Sequence, residues 1–248
     1  MQLKLSTWCE VKEYLTKRKD IIIPIGSTEQ HGPMGHIGTD FICPETIAKE
    51  IGDQTGTLVA PTLPIGMSQH HLAFPGSITL RPTTLIALVK DVAQSLSGHG
   101  FTHVFFLNGH GGNVDSIKVA FSELYAEHSM SRQPTSLCLK SCNWYEGKRI
   151  EELSGKYFKG AEGHHATPSE ISLSFYAHPD AVKTADLVPK IAPDNTFRDC
   201  FDYENNFPDG RIASDSSLAT IEIGKEILEG AVQDVLKTYT EYIKLDMS

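Results

Sequence analysis

Cysteine is sparse and unpaired in this chain. Its five cysteines, Cys9, Cys43, Cys138, Cys142 and Cys200, are scattered, and no two form a CxxC pair. Such a set argues against a disulfide scaffold and a structural zinc site, and suits a reduced, cytoplasmic setting. No apolar run is long enough to span a bilayer. The first residues, Met1-Gln2-Leu3-Lys4-Leu5-Ser6, turn polar by Glu10 and lack a signal-peptide core. No block of Lys or Arg occurs and the net charge is −9. Nucleic-acid binding is therefore not expected, since phosphate contact needs a basic face. There is no G-x-S-x-G elbow, no Walker lysine and no GxGxxG loop. No cysteine has an evident histidine partner for thiol catalysis.

What remains is an ordinary globular composition. Hydrophobic residues make up 40% of the 248 residues, enough for a sizeable core. No internal repeat or linker is evident, so a single domain over 1–248 is the expectation. Short apolar runs alternate with amphipathic ones. Strands are predicted over 21–25, 57–60, 103–107 and 136–140. Helices are predicted over 7–18, 43–54, 82–97, 114–128, 168–176 and 221–243. Ser6 or Thr7 caps the first helix, and Pro44 falls near the first turn of the second. Residues 180–217, rich in Pro, Asp and Asn, read as loop. Buried strands alternating with helices imply an α/β protein with a mainly parallel sheet covered on both faces. Such sheets bind ligands outside the carboxyl ends of their strands.

Three polar segments fall at those ends. The first is Pro24-Ile25-Gly26-Ser27-Thr28-Glu29-Gln30-His31-Gly32-Pro33, followed by Asp40. Glu29 and His31, two apart in an extended segment, aim to the same side. The glycines that follow let the chain turn so that Asp40 returns. An imidazole and two carboxylates converging at a strand end suit a transition metal; the alternative is a capping and turn cluster. The second is Asn108-Gly109-His110-Gly111-Gly112-Asn113, which offers His110 as a ligand or, alternatively, a glycine-rich anion loop. The third is Met67 with His70-His71, placed at a pocket mouth or forming a satisfied loop pair. Further along, Glu162-Gly163-His164-His165 precedes Thr167-Pro168-Ser169-Glu170. Thr167 and Glu170 fit a capping box, so Glu170 is either a cap or a ligand. His164 or His165 is a candidate general acid/base, or an exposed loop residue. Trp144-Tyr145 could stack on a planar substrate or simply pack. His36, His99, His103, His128 and His178 read as structural.

Together, Gly26-Ser27-Thr28-Glu29-Gln30-His31-Gly32-Pro33, Gly38-Thr39-Asp40 and Asn108-Gly109-His110-Gly111-Gly112-Asn113 resemble the creatininase (creatinine amidohydrolase) family. The resemblance runs from about Trp8 to the Ser169-Glu170 helix. It implies a three-layer α/β/α sandwich and a dinuclear hydrolase using zinc, manganese or iron on non-peptide or cyclic amide C–N bonds. It also implies a homo-oligomer, hexameric in several members. By the same resemblance Glu29, His31, Asp40 and His110 hold metal, with Asp40 bridging. Glu170 matches a later active-site glutamate, His165 a catalytic-region histidine and Trp144 a substrate-side tryptophan. True creatininases carry a ligand glutamate two residues after the glycine-flanked histidine, where this chain has Gly112; Glu170 is the candidate replacement. Other branches, a formamide-type deformylase and a peptidase acting on a redox-cofactor precursor, share the Gly111-Gly112 form.

The function expected is hydrolysis of a small-molecule cyclic amide or formamide. Water activated between two ions, Zn²⁺ and/or Mn²⁺ or else Fe²⁺, attacks the carbonyl, and His165 or Glu170 protonates the leaving nitrogen. His70, His71, Trp144, Gly111 and Gly112 would line the substrate. Two rivals are a dimetal phosphoesterase, which would need an Arg/Lys clamp, and a non-catalytic metal-holding protein with a closed coordination sphere.

Overall fold

The computed structural model describes residues 1–244. Four parallel strands form its sheet: β1 (Asp20–Ile25), β2 (Leu58–Val59), β3 (His103–Asn108) and β4 (Cys138–Asn143), in the order β2-β1-β3-β4. β1 and β3 pair along their whole length, from Asp20 opposite His103 to Ile25 opposite Asn108. Both are central and almost wholly buried, which is why they read as continuous apolar runs.

Alternate side chains feed two separate cores. Ile21, Ile23, Ile25, Val104 and Phe106 pack toward α1 (Trp8–Lys17), α3 (Pro82–Gly98) and α4 (Val114–Met130). Ile22, Phe105 and Leu107 pack toward α2 (Thr39–Thr55), α5 (Lys148–Tyr157) and α8 (Ile221–Ile243), joined by Leu173 of α6 (Pro168–Ala177). Helices thus cover both faces, giving the expected three-layer arrangement. The remaining helix, α7 (Cys200–Asn206), lies inside the segment read as loop.

Several boundaries differ from the sequence reading. α2 begins at Thr39, not at residue 43, so Asp40 stands in its first turn and Pro44 is interior. Pro44 has no N–H to give to the Asp40 carbonyl. Two glycines let the sheet press against that carbonyl: a Cβ on either Gly26 or Gly109 would come within 2.1 Å of Asp40 O. The ends of β1 and β3 are thereby seated on the helix that carries Asp40. β4 runs later than 136–140, and α5 was not anticipated.

Candidate metal centre and active site

Every strand ends on one rim. After β1 the chain supplies Glu29 and His31, and α2 immediately supplies Asp40. After β2 come His70 and His71; after β3, His110; after β4, Trp144 and Tyr145. Glu170 arrives from the first turn of α6.

The side chains converge closely. Asp40 Oδ1 lies 3.0 Å from His31 Nε2, and its Oδ2 lies 2.9 Å from His110 Nδ1. Glu29 Oε2 is 3.3 Å from His110 Nε2, and Oε1 is 3.1 Å from His71 Nε2 and 3.8 Å from His165 Nδ1. Glu170 Oε1 is 3.8 Å from His31 Nε2. Two triads can each hold a cation, Glu29–Asp40–His110 and His31–Asp40–Glu170, with ligand atoms within 4.8 Å of one another. Asp40 belongs to both. A third grouping, Glu29–His31–His165, adjoins them.

The donor set fits divalent metal. Both oxygens of Glu29 and Oδ2 of Asp40 are buried without a hydrogen bond. The histidine nitrogens near them lie close enough for attraction but off the hydrogen-bonding direction. Burying such oxygens unbonded is costly, and a cation between them removes the cost. The far sides of the two histidines agree. His110 Nε2 meets the Met67 carbonyl at 2.9 Å, and His31 Nδ1 meets the Glu29 carbonyl at 3.1 Å. A carbonyl only accepts, so those nitrogens carry the protons. His110 Nδ1 and His31 Nε2 are left to face Asp40 and a metal, the usual backing of metal-bound imidazoles. Nitrogen and carboxylate donors suit zinc and manganese.

Electrostatics point the same way. Burial opposes charge on His31, yet Asp40, Glu170 and Glu29 outweigh it and push the ring up to about 10. Burial is likewise overcome at His110 by Glu29 and Asp40, which push it up to about 9. Burial would raise Asp40, but His31 and His110 hold it well below the usual carboxylate range. Burial pushes Glu170 up to about 7 despite His31. The cluster calls for positive charge at its centre, which divalent ions supply. His71 and His165 move in the opposite direction. Burial, reinforced by neighbouring imidazoles, pushes both well below the ordinary value and keeps them neutral.

Glu170 is a cap, and its position leaves the ligand reading open. Its Oε1 accepts from Thr167 N at 2.6 Å, completing the capping box, while the carboxylate also belongs to a ligand triad. Position 112 could not carry a carboxylate in its place. A Cβ there would lie 2.4 Å from Met67 O and 2.5 Å from His110 Nε2.

The centre opens into a cavity of about 600 Å³. His70, Gly111, Gly112, Trp144, Tyr145 and His164 are among its walls. His70 stacks on Phe197 with ring centroids 4.9 Å apart. His71 lies deeper than the mouth position expected: it is 1% exposed and faces Glu29. Met67 contributes its carbonyl rather than its side chain. Trp144 sits in the core with only an edge on the cavity. His164 is exposed, whereas His165 stands among Glu29, His31 and His71.

Some contributors escaped the sequence reading. Asn108 and Asn113 brace the glycine-rich turn: Asn108 Nδ2 donates to His110 O at 2.7 Å, and Asn113 Nδ2 to Gly26 O at 3.0 Å. The segment read as loop supplies Phe197, Tyr203, the Gly210 carbonyl and the Ser214 hydroxyl, which donates to His165 O at 2.8 Å. Gln30 was visible only as a letter between two ligands.

A fold of this kind with carboxylates and imidazoles shared around one aspartate defines a metallohydrolase-like α/β protein. The creatininase family profile, described as creatinine amidohydrolase, matches residues 4–239, and the chain belongs to that family. It is 27% identical to the creatinine amidohydrolase of Pseudomonas putida over 234 residues, 89% of this chain and 88% of that protein. It is 34% identical to the mycofactocin precursor peptide peptidase of Mycolicibacterium smegmatis over 113 residues, 43% of this chain and 45% of that one. Among solved structures, a manganese creatininase superposes with a TM-score of 0.82 at 25% identity, covering 97% of each chain.

Proposed function

We propose that the chain is a metal-dependent amidohydrolase that cleaves a non-peptide C–N bond of the cyclic amide or formamide type. One observation carries this reading: Asp40 is shared between two candidate ligand triads, and its Oδ2 and both oxygens of Glu29 are buried without a hydrogen bond. Two divalent ions, zinc or manganese, supply there the Lewis acidity that activates water and polarises a carbonyl. Glu29, Asp40 and His110 hold one ion, and His31, Asp40 and Glu170 the other. His165, neutral and largely shielded beside Glu29, moves the proton to the departing nitrogen. His70, Gly111, Gly112, Trp144 and Tyr145 shape the space the substrate fills, with His71 behind them.

The described residues lining the cavity include no lysine or arginine, so support for a phosphoesterase is missing. The similarity to a peptidase makes short peptides a second arm of any substrate screen. The reading extends to a single domain acting in the cytoplasm as a homo-oligomer, hexameric as the family resemblance implies. Five free cysteines and exposed apolar residues such as Trp8 and Phe201 support it; light scattering on the purified protein would measure the assembly.

The test is elemental analysis of the purified protein followed by a screen of cyclic amides and formamides. About two ions per chain and turnover that disappears on chelation are expected. No bound metal after addition of Zn²⁺ or Mn²⁺ would overturn the proposal.

A further inference from the structure

Gln30 lies between Glu29 and His31 in sequence, is 6% exposed, and points its amide away from both triads. Two backbone groups fix which way that amide faces. Gly32 N donates to Oε1 at 2.8 Å, and Nε2 donates to Gly210 O at 2.8 Å. A peptide N–H only donates and a peptide carbonyl only accepts, so a flipped amide would lose both bonds. The orientation is therefore unambiguous.

Nε2 then faces two imidazoles, His71 Nδ1 at 2.9 Å and His165 Nε2 at 3.0 Å. It has two hydrogens, one already given to Gly210 O. His165 Nε2 is not free to accept the other, because it also lies 2.8 Å from the Gln30 carbonyl and must donate there. The remaining amide hydrogen goes to His71 Nδ1. His71 accordingly carries its own proton on Nε2, 3.1 Å from Glu29 Oε1. His165, protonated at Nε2, turns the lone pair of Nδ1 toward Glu29.

We propose that Gln30 is a positioning residue that sets two tautomers, that of His71 through its side-chain amide and that of His165 through its backbone carbonyl. Through His71 it places a ring N–H 3.1 Å from the Glu29 carboxylate, close enough for attraction though not in the hydrogen-bonding direction. Through its carbonyl it presents His165 with a basic nitrogen facing the reaction space. The contact to Gly210 also ties both rings to the segment after α7, where Tyr203 OH donates to the same carbonyl at 2.8 Å. This rests on the proposed hydrolase reading only for the purpose the two tautomers serve.

The experiment is ¹⁵N–¹H correlation spectroscopy of the histidine rings in the zinc-loaded full chain without substrate, for wild type and Gln30→Glu. Wild type should show His71 unprotonated at Nδ1 and protonated at Nε2, and His165 protonated at Nε2. The variant, unable to donate, should move the His71 proton to Nδ1, keep its zinc, and lose about 10- to 100-fold in kcat with KM little changed, the scale of lost support behind a metal ligand. A wild-type His71 protonated at Nδ1 would overturn the proposal, as would unchanged ring signals and kcat in the variant. If the variant does not fold, the wild-type spectrum alone decides. The spectra need no substrate, so a failed hydrolysis screen leaves this test standing.

Discussion

β1 carries a buried carboxylate system at each end, and the two are opposites. At its start Asp20, 8% exposed, is saturated. Arg18 grips it with Nε at 3.0 Å from Oδ1 and Nη2 at 2.6 Å from Oδ2, and Tyr239 OH donates to Oδ2. Arg18 also reaches Thr55 O and Thr57 Oγ1, so its donors are used as well. Beyond the other end, Glu29 is 0% exposed and neither oxygen has a hydrogen bond. One site is closed by the protein itself and the other is left open for something the protein must acquire. Buried polar groups are rarely left unbonded, so burial without satisfaction, rather than burial alone, marks the functional end.

The sharpest way to break this comparison is Asp40→Ala. Removing the shared ligand should take both ions away, from about two per chain to almost none, and lower turnover on the order of 10⁴-fold, equivalent to several kcal/mol of lost Lewis-acid stabilisation. Elemental analysis and initial rates read the two effects together; retained metal with full activity would remove Asp40 from the shared-ligand role proposed for it. Next in size is His165→Ala. It should keep both ions yet lose roughly 10²- to 10⁴-fold in turnover, the range for a general acid/base. Loss of metal instead would make His165 a ligand, as the Glu29–His31–His165 grouping also permits.

The functional end was legible in sequence because its chemistry is concentrated. Three of the proposed ligands, Glu29, His31 and His110, sit in two short glycine-bounded runs after apolar strands, Asp40 follows in the first turn of the next helix, and strand polarity alone brings those runs together. The capping box of Thr167 with Glu170 was equally readable; at α1 the sequence offered Ser6 or Thr7, and Thr7 is the cap, in a box with Glu10. The start of α2 was hidden because Gly38 caps it with no side-chain hydrogen bond, leaving no signal at residue 39. β4 slipped because Lys140, Ser141 and Asn143 are only partly buried or exposed at the sheet edge and break the apolar pattern. α5 is highly charged and buries only Ile150. The segment after α6 acts largely through backbone carbonyls and an arginine, Arg211, that is wholly buried on them. No residue-type spacing announces a carbonyl, and Gln30 meets its partner Gly210 across 180 positions.

The closed end predicts a different phenotype. Asp20→Asn should leave metal content and turnover near wild type while lowering stability by about 2–3 kcal/mol, below the range for a deeply buried pair because Arg18 is partly exposed. Denaturant unfolding measures this, and m should not change. Turnover falling in step with stability would erase the division between the two ends.

The same carboxylate makes a smaller, pH-dependent prediction. Burial raises Asp20, but Arg18 and Tyr239 more than compensate, so its folded pKa lies below the ordinary 3.8. The unfolded chain therefore binds the proton more readily, and the stability this group contributes is complete above the unfolded value. It is lost as pH falls through the folded one. The gap in stability between wild type and Asp20→Asn should accordingly be constant near neutrality and narrow as pH drops below about 4. Reading the difference between the two proteins cancels the other carboxylates, which titrate in both. A gap that stays constant into acid would mean that Asp20 acts by shape and hydrogen bonding rather than by charge, and the contrast along β1 would then be one of satisfaction alone.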